Sequence, residues 1–328
     1  MKRTVGLWRQ TACAISLIGL AGCALAWGAE GHKTVAAIAA EQLKGTATEA
    51  RVKGLLHASE TLLDASVWAD CAKGFIYCHK QPTPEMQDFA AGNPDHHGYH
   101  YTDVPIQALE YTAGSVGTTD HDVVQTIKQA VFGLQGDTSD ARNPHHFTPR
   151  QSLMILAHMV GDIHQPLHVG AAYLDLDGRP VMPTEDDMKQ TGTEGGNFLF
   201  IGGKSRVLHG YWDSDAVKTL MRRKQAKTPQ ALAKALLADD DTPVVLEGDL
   251  DSIVIAWANE SLAAARTAFE GVVISEHRTN FKDSQGDLAA GWAVTLPQDY
   301  TKTSSDVASG RLLSAGKRLA AILRLALE

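Results

Sequence analysis

Apolar positions along this chain recur mostly with helical rather than strand spacing. They fall three and four residues apart from Val35 to Leu43 and again across Asp122 to Phe132, so each segment predicts a helix with one buried stripe. "TLLDASVWADCAK" reads as a further single helix, with Leu62, Leu63, Val67 and Cys71 roughly on one stripe. "TPRQSLMILAHMVGDIHQ" has a strong start: Thr148 suits the N-cap, Pro149 the first turn, and Gln151 completes a capping box. The Thr-Pro start recurs at Thr228. "LHGYWDSDAVKTLM" begins another helix, and long helical patterns run from Leu250 to Phe269 and from Ser304 to Leu327. Two stretches break the rule. "HGYHYTDVP" is short, aromatic and Pro-terminated, which predicts loop or extended chain, and "GGNFLFIGG" predicts a short strand between glycines. Residues 275–295 have no clear periodicity and carry no assignment. No Gly/Ser/Pro-rich linker divides the chain, so a mostly α, single-domain helical fold is expected.

The first residues do not belong to that fold. A basic "MKRTVGLWRQ", an apolar "TACAISLIGL" too short to span a membrane, and "ALA" at Ala24 to Ala26 together read as a signal peptide, residues 1–26. "LAGC", Leu20 to Cys23, also fits a lipoprotein signal with Cys23 lipidated. No later segment is apolar for long enough to span a membrane, so an exported protein, periplasmic or secreted and without stable membrane insertion, is expected. Export bears on the cysteines that remain, Cys71 and Cys78 in "CAKGFIYC". In an oxidising compartment two close cysteines are expected to pair, with a reduced buried pair as the alternative.

The 328 residues are 44% hydrophobic and 21% charged, a globular balance. Removing Lys2, Arg3 and Arg9 with the leader leaves 27 basic against 38 acidic residues, a net of −11. A broad basic surface for nucleic acid is thereby excluded. Histidine, at 14 residues, is the unusual component, and its placement is more unusual still. In "AHMVGDIHQPLHVG", His158 and Asp162 sit four apart on an otherwise apolar helix, and His168 follows the break at Pro166. "LHGYWD" repeats the device with His209 and Asp213. Buried imidazole and carboxylate need partners, and zinc accepts both. Asp70 lies in the apolar "SVWADCAK", while His96, His97 and His100 crowd "HHGYHYTD". His32 lies close behind the expected new terminus, where the Trp27 amine and carbonyl could join it around a metal.

"WGAEGH", "SVWAD", "HYTD", "AHMVGDIHQPLH", "GGN" and "LHGYWDSD" occur in order along the chain. Taken together they resemble the zinc-dependent single-strand nucleases of the S-one/P-one type, which include mung bean nuclease. The resemblance spans about Trp27 to Asp213 and continues into a helical tail. It implies a mostly α fold of the zinc phospholipase C type and a cleft holding three zinc ions. By that resemblance Asp70, His100, His158 and Asp162 would hold the first zinc, and His168, His209 and Asp213 the second. The third would take the Trp27 amine and carbonyl, His32 and a shared Asp162. Asp70, Lys73 and Asp162 would be catalytic, with Lys73 near the phosphate. Tyr101 would stack on a base whose edge Asp103 and Asn197 hydrogen-bond. His164 has no ligand role in this pattern and is read as structural. A terminal-amine ligand requires cleavage after Ala26, which favours the signal-peptide reading over lipidation.

The implied activity is endonucleolytic hydrolysis of single-stranded DNA and RNA to 5′-phosphorylated products, with 3′-nucleotidase activity on nucleotides, by a monomer. Three dications would contribute +6 locally and reconcile an acidic protein with a polyanionic substrate. Two alternatives remain at this point. A zinc phospholipase C shares the fold, but it tends to place Glu where this chain has Asp213. A zinc-sequestering binding protein would suit His-rich loops better than carboxylates spread over the chain.

Overall fold

A computed structural model describes residues 27–78, 80–202, 206–282 and 288–328. The expected leader and Cys23 lie outside the described residues. The predicted helices form where their caps are. Thr148 caps the Pro149–Asp162 helix: its side chain accepts from the Gln151 N–H at 3.2 Å, and the Thr148 N–H donates to Gln151 Oε1 at 3.0 Å. Asp122 caps Val123–Leu134, Thr228 caps Pro229–Leu237, and Asp249 caps Leu250–Phe269. The first helix runs Ala29–Leu43 and the last Tyr300–Leu327.

Helix packs on helix around one core. Pro149–Asp162 is the central element, and its residues from Ser152 to Asp162 are all buried. A helix buried on every face has no solvent side on which polar residues could sit harmlessly. The first helix packs along the last, and Gly316 gives it room, because a side chain there would collide with Ile38. The Val123–Leu134 helix covers another side of the central one.

Three segments depart from the sequence reading. "TLLDASVWADCAK" is two short helices, Leu62–Ala65 and Trp68–Ala72, because Val67 (φ −113°, ψ 0°) leaves the helical region. "LHGYWDSDAVKTLM" begins as a helix at Leu208–Gly210 and continues as one at Val217–Arg223, but widens into a π turn over Tyr211–Ala216. Of the unassigned stretch, residues 275–282 and 288–295 belong to two antiparallel strands, Val273–Lys282 and Leu288–Thr295. Their register shifts between Ile274 and Glu276 and between Arg278 and Phe281, so no single alternation runs along them. The predicted short strand, Leu199–Ile201, adds in parallel to Leu288–Thr295, with Leu199 opposite Trp292. In "HGYHYTDVP", His96–His100 is a 3₁₀ turn and the rest is extended. Val104–Pro105 then pairs in parallel with Gly170–Ala171, which ties the chain after His100 to the chain after His168. Among the described residues no helix is long and apolar enough to cross a membrane.

Candidate metal centre

Three groups of imidazoles and carboxylates converge beside the end of the central helix. They are His32, His158 and Asp162; Asp70, His100 and His158; and His168, His209 and Asp213, all buried. Asp162 links the first two. Its Oδ1 faces His32 Nε2 at 3.2 Å, while its Oδ2 faces His100 Nδ1 at 2.9 Å and His158 Nε2 at 3.2 Å. Asp70 Oδ1 lies 3.7 Å from His158 Nε2 and 3.9 Å from His100 Nδ1. His32 reaches the central helix because residue 161 is glycine; a Cβ there would stand 2.7 Å from His32 Nδ1.

Backbone carbonyls set the imidazole tautomers. His158 Nδ1–H donates to the Ser66 carbonyl at 2.7 Å, at the break the sequence did not reveal. His168 Nδ1–H donates to the His100 carbonyl at 2.7 Å, and His209 Nδ1–H to the Gly195 carbonyl at 3.1 Å. Each ring therefore turns a bare Nε2 lone pair inward. His168 Nε2 and His209 Nε2 then face each other at 3.1 Å, and His158 Nε2 faces two carboxylates. Lone pair against lone pair is repulsive unless a cation lies between. Two nitrogens on one tetrahedral zinc stand about 3.3 Å apart, so the spacing suits that ion. His158 Nε2, His32 Nε2, Asp162 Oδ1 and Asp213 Oδ2 are also buried without a hydrogen-bond partner. Buried polar atoms rarely go unsatisfied, and here the orphans point into one place. The donor set is nitrogen and carboxylate oxygen, without thiolate, which suits zinc.

Burial, then the neighbouring His158, pushes His32 down to about 4. Burial, then Lys73, takes His100 to about 3, and burial, then His168, takes His209 to about 3. These rings are neutral at pH 7, the form that ligates. Burial acts to raise Asp162, but His158 and His168 outweigh it and hold the carboxyl well below the usual range. Asp213 goes the other way: burial pushes it well above the usual range, against the bond that Gln165 Nε2 donates to its Oδ1 at 2.8 Å. Asp70 is also desolvated, yet Lys73, His158 and His100 keep it low. Lys73 Nζ sits 2.6 Å from Asp70 Oδ1.

The other predicted residues are placed as follows. Trp27 is fully buried, and the next N–H, of Gly28, donates to the Asp213 carbonyl at 2.8 Å. The π turn thus ties the start of the fold to the third group. Cys71 and Cys78 form a disulfide that closes the segment carrying Lys73. Tyr101, directly after His100, is exposed at the surface. Asp103 is half-buried, and desolvation raises its carboxyl to about 7. Asn197 is half-buried and ends the Glu194–Gly196 turn, whose Gly195 orients His209. His164 joins none of the three groups, since both ring nitrogens are engaged elsewhere. His96 and His97 also stand outside them. The sequence reading missed the residues that orient the rings and carboxylates: Ser66 and Gly195, which act through backbone carbonyls, and Gln165. Only Gln165, inside "HQPLH", carried a signal.

The sequence family described as S1/P1 nuclease matches residues 27–328. The chain belongs to the S1/P1 nuclease family. It is 28% identical to Endonuclease 4 of Arabidopsis thaliana over 309 residues, covering 92% of this chain and 89% of that protein. Similarity to Endonuclease 2 (26% over 312 residues, 90% and 89% covered) and Endonuclease 3 (29% over 312 residues, 94% and 91% covered) of the same plant is comparable. The S1/P1 nuclease chain described here is therefore a hydrolase of phosphodiester bonds in nucleic acid, from a zinc-dependent family. Membership sets aside the phospholipase and zinc-storage readings.

Proposed function

We propose that this S1/P1 nuclease is an exported single-strand endonuclease that binds three zinc ions. It cleaves single-stranded DNA and RNA to 5′-phosphorylated products and removes 3′-phosphates from nucleotides. Asp70, His100, His158 and Asp162 hold one zinc; His168, His209 and Asp213 hold the second; the Trp27 amine and carbonyl, His32 and Asp162 hold the third. The observation that carries this reading is the pair of bare lone pairs, His168 Nε2 and His209 Nε2, facing each other at 3.1 Å in a buried site beside the two-sided Asp162 carboxylate.

When bound, zinc supplies Lewis-acid polarisation of the phosphodiester and activation of water. The chain's own groups hold and orient. Asp162 offers one oxygen to each of two sites and keeps its charge because the surrounding imidazoles favour it. Lys73, braced by the Cys71–Cys78 disulfide, places a cation beside Asp70 where a phosphate would approach. Tyr101 offers a ring for stacking, which tolerates any base but demands an unpaired one. Asp103 and Asn197 contact the edge of that base. The leader is cleaved after Ala26, leaving Trp27 as the terminus of a periplasmic or secreted monomer. The purified protein, challenged with single-stranded DNA, RNA, duplex DNA and phosphatidylcholine vesicles, tests the reading. Rapid cleavage of both single strands with 5′-phosphate ends is expected; preference for duplex or for lipid would refute it.

A further inference from the structure

The turn joining Asp162 to His168 is gripped from behind by the C-terminal helix. At a helix end the last carbonyls lack intrahelical partners, and Pro166 removes a further N–H donor. His164 meets part of this need itself. Its N–H donates to Gly161, and its ring Nδ1–H donates to the Val160 carbonyl at 2.7 Å. That bond fixes the tautomer and leaves Nε2 as an acceptor inside the protein. Arg318 Nη1 donates to it at 3.0 Å. Arg311 Nε donates to the His164 carbonyl at 3.1 Å. The two arginines are seven residues apart, so they share one face of the helix. Both close on Glu260: Arg318 through two bonds of 2.6 and 2.7 Å, and Arg311 through one of 3.0 Å. The adjacent Ser261 hydroxyl bonds the Ile163 carbonyl and also accepts from Arg311.

His164 is therefore held at its ring and at its carbonyl by two arginines joined through one carboxylate. We propose that Arg311, Arg318 and Glu260 are positioning residues for the metal centre. Acting through His164, they fix the turn that sets Asp162 against His168. Two features support a positioning role over ordinary packing. The closed ring of bonds ends two residues from Asp162 and four from His168, the two residues read here as ligands on this turn. It also places two cations behind a site for dications, an arrangement that packing alone would not require.

The inference rests on the zinc reading proposed above. Its test is a competition for zinc against a chromophoric chelator, run on zinc-loaded wild type, Arg318→Met, His164→Ala and the double variant, with circular dichroism to confirm folding. Loss of an outer-shell partner commonly weakens metal binding 10- to 100-fold, and that range is expected for Arg318→Met, with kcat falling alongside and KM on an oligonucleotide unchanged. The double variant is expected to lose no more than the worse single one, because Arg318 acts through His164. Arg318→Lys, which keeps the positive charge but loses the paired guanidinium bonds to Glu260, is expected to fall between. Wild-type zinc retention in Arg318→Met, or additive losses in the double variant, would overturn the proposal while leaving the zinc reading intact. Absence of bound zinc from wild type would overturn both.

Discussion

Asp162→Asn is the substitution on which the site depends most, because one carboxylate serves two groups. Its two oxygens lie 2.9 to 3.2 Å from His100, His158 and His32. The amide removes one negative charge and turns an NH₂ donor toward one of these rings. A protein zinc site is worth about 10–16 kcal/mol in all, so each of four ligands carries roughly 2.5–4 kcal/mol, or about two to three orders of magnitude in Kd. Both sites that use Asp162 should weaken by that factor, while His168, His209 and Asp213 keep theirs. With free zinc buffered between the wild-type and the weakened Kd, the expected outcome is a fall from three bound ions to one, with cleavage of single-stranded DNA down at least 10³-fold, roughly the upper end of the loss when one transition-state donor is removed from an active site. His164→Ala is the control. It truncates a buried side chain two residues away, at a stability cost of about 2–4 kcal/mol by analogy with other large-to-small changes, but removes no ligand. With saturating zinc it should keep all three ions. Equilibrium dialysis with metal analysis, paired with a cleavage assay, reads both variants. Three ions and a near-native rate in Asp162→Asn, or a lost ion in His164→Ala at saturating zinc, would refute the ligand assignment.

The mature protein should begin at Trp27, which N-terminal sequencing checks; a diacylglycerol-modified Cys23 by intact mass would remove the terminal ligand. Reducing the Cys71–Cys78 bridge, closed over a separation of seven residues, should cost about 2.5 kcal/mol on loop entropy and lower activity through the Lys73 segment. Unchanged melting and activity after reduction would contradict this. The metal-free protein should lose stability as pH falls from about 6.5 toward 4. His32, His100 and His209 are depressed to about 4, 3 and 3, so their contribution is complete above the unfolded value of 6.5 and is lost as the folded values are approached. His158, Asp103, Asp122 and Asp213 are raised and act oppositely, but His96, His97, His145, His164 and His168 are depressed as well, so the depressed imidazoles outnumber them. A melting temperature of the chelated protein that is flat or rises between pH 6.5 and 4.5 would refute the balance.

What was legible in the sequence was local. Thr148, Pro149 and Gln151 mark a helix start within four residues, and the His158–Asp162 pair shares a helix face by spacing alone. Leu250–Phe269 was readable because its buried stripe runs along the helix from Ile253 to Ala268 at helical spacing, apolar but for Ser261. What stayed hidden was set by distant partners. Val67 breaks a helix whose apolar pattern continues, and the Ser66 carbonyl at that break meets His158 across 92 residues of sequence. The paired strands Val273–Lys282 and Leu288–Thr295 shift register twice, which erases a single alternation. The π turn lets Asp213 serve the site with its side chain and Gly28 with its carbonyl, and no spacing rule announces that. Arg311 and Arg318 read as ordinary basic residues of an amphipathic helix, because their target, His164, lies about 150 residues away.

The central claim is a count of ions. Metal analysis of the purified, processed protein, after removal of loosely bound metal, gives zinc per chain directly. Three per chain is predicted. One or none, in a protein that still cleaves single-stranded DNA, would contradict the account.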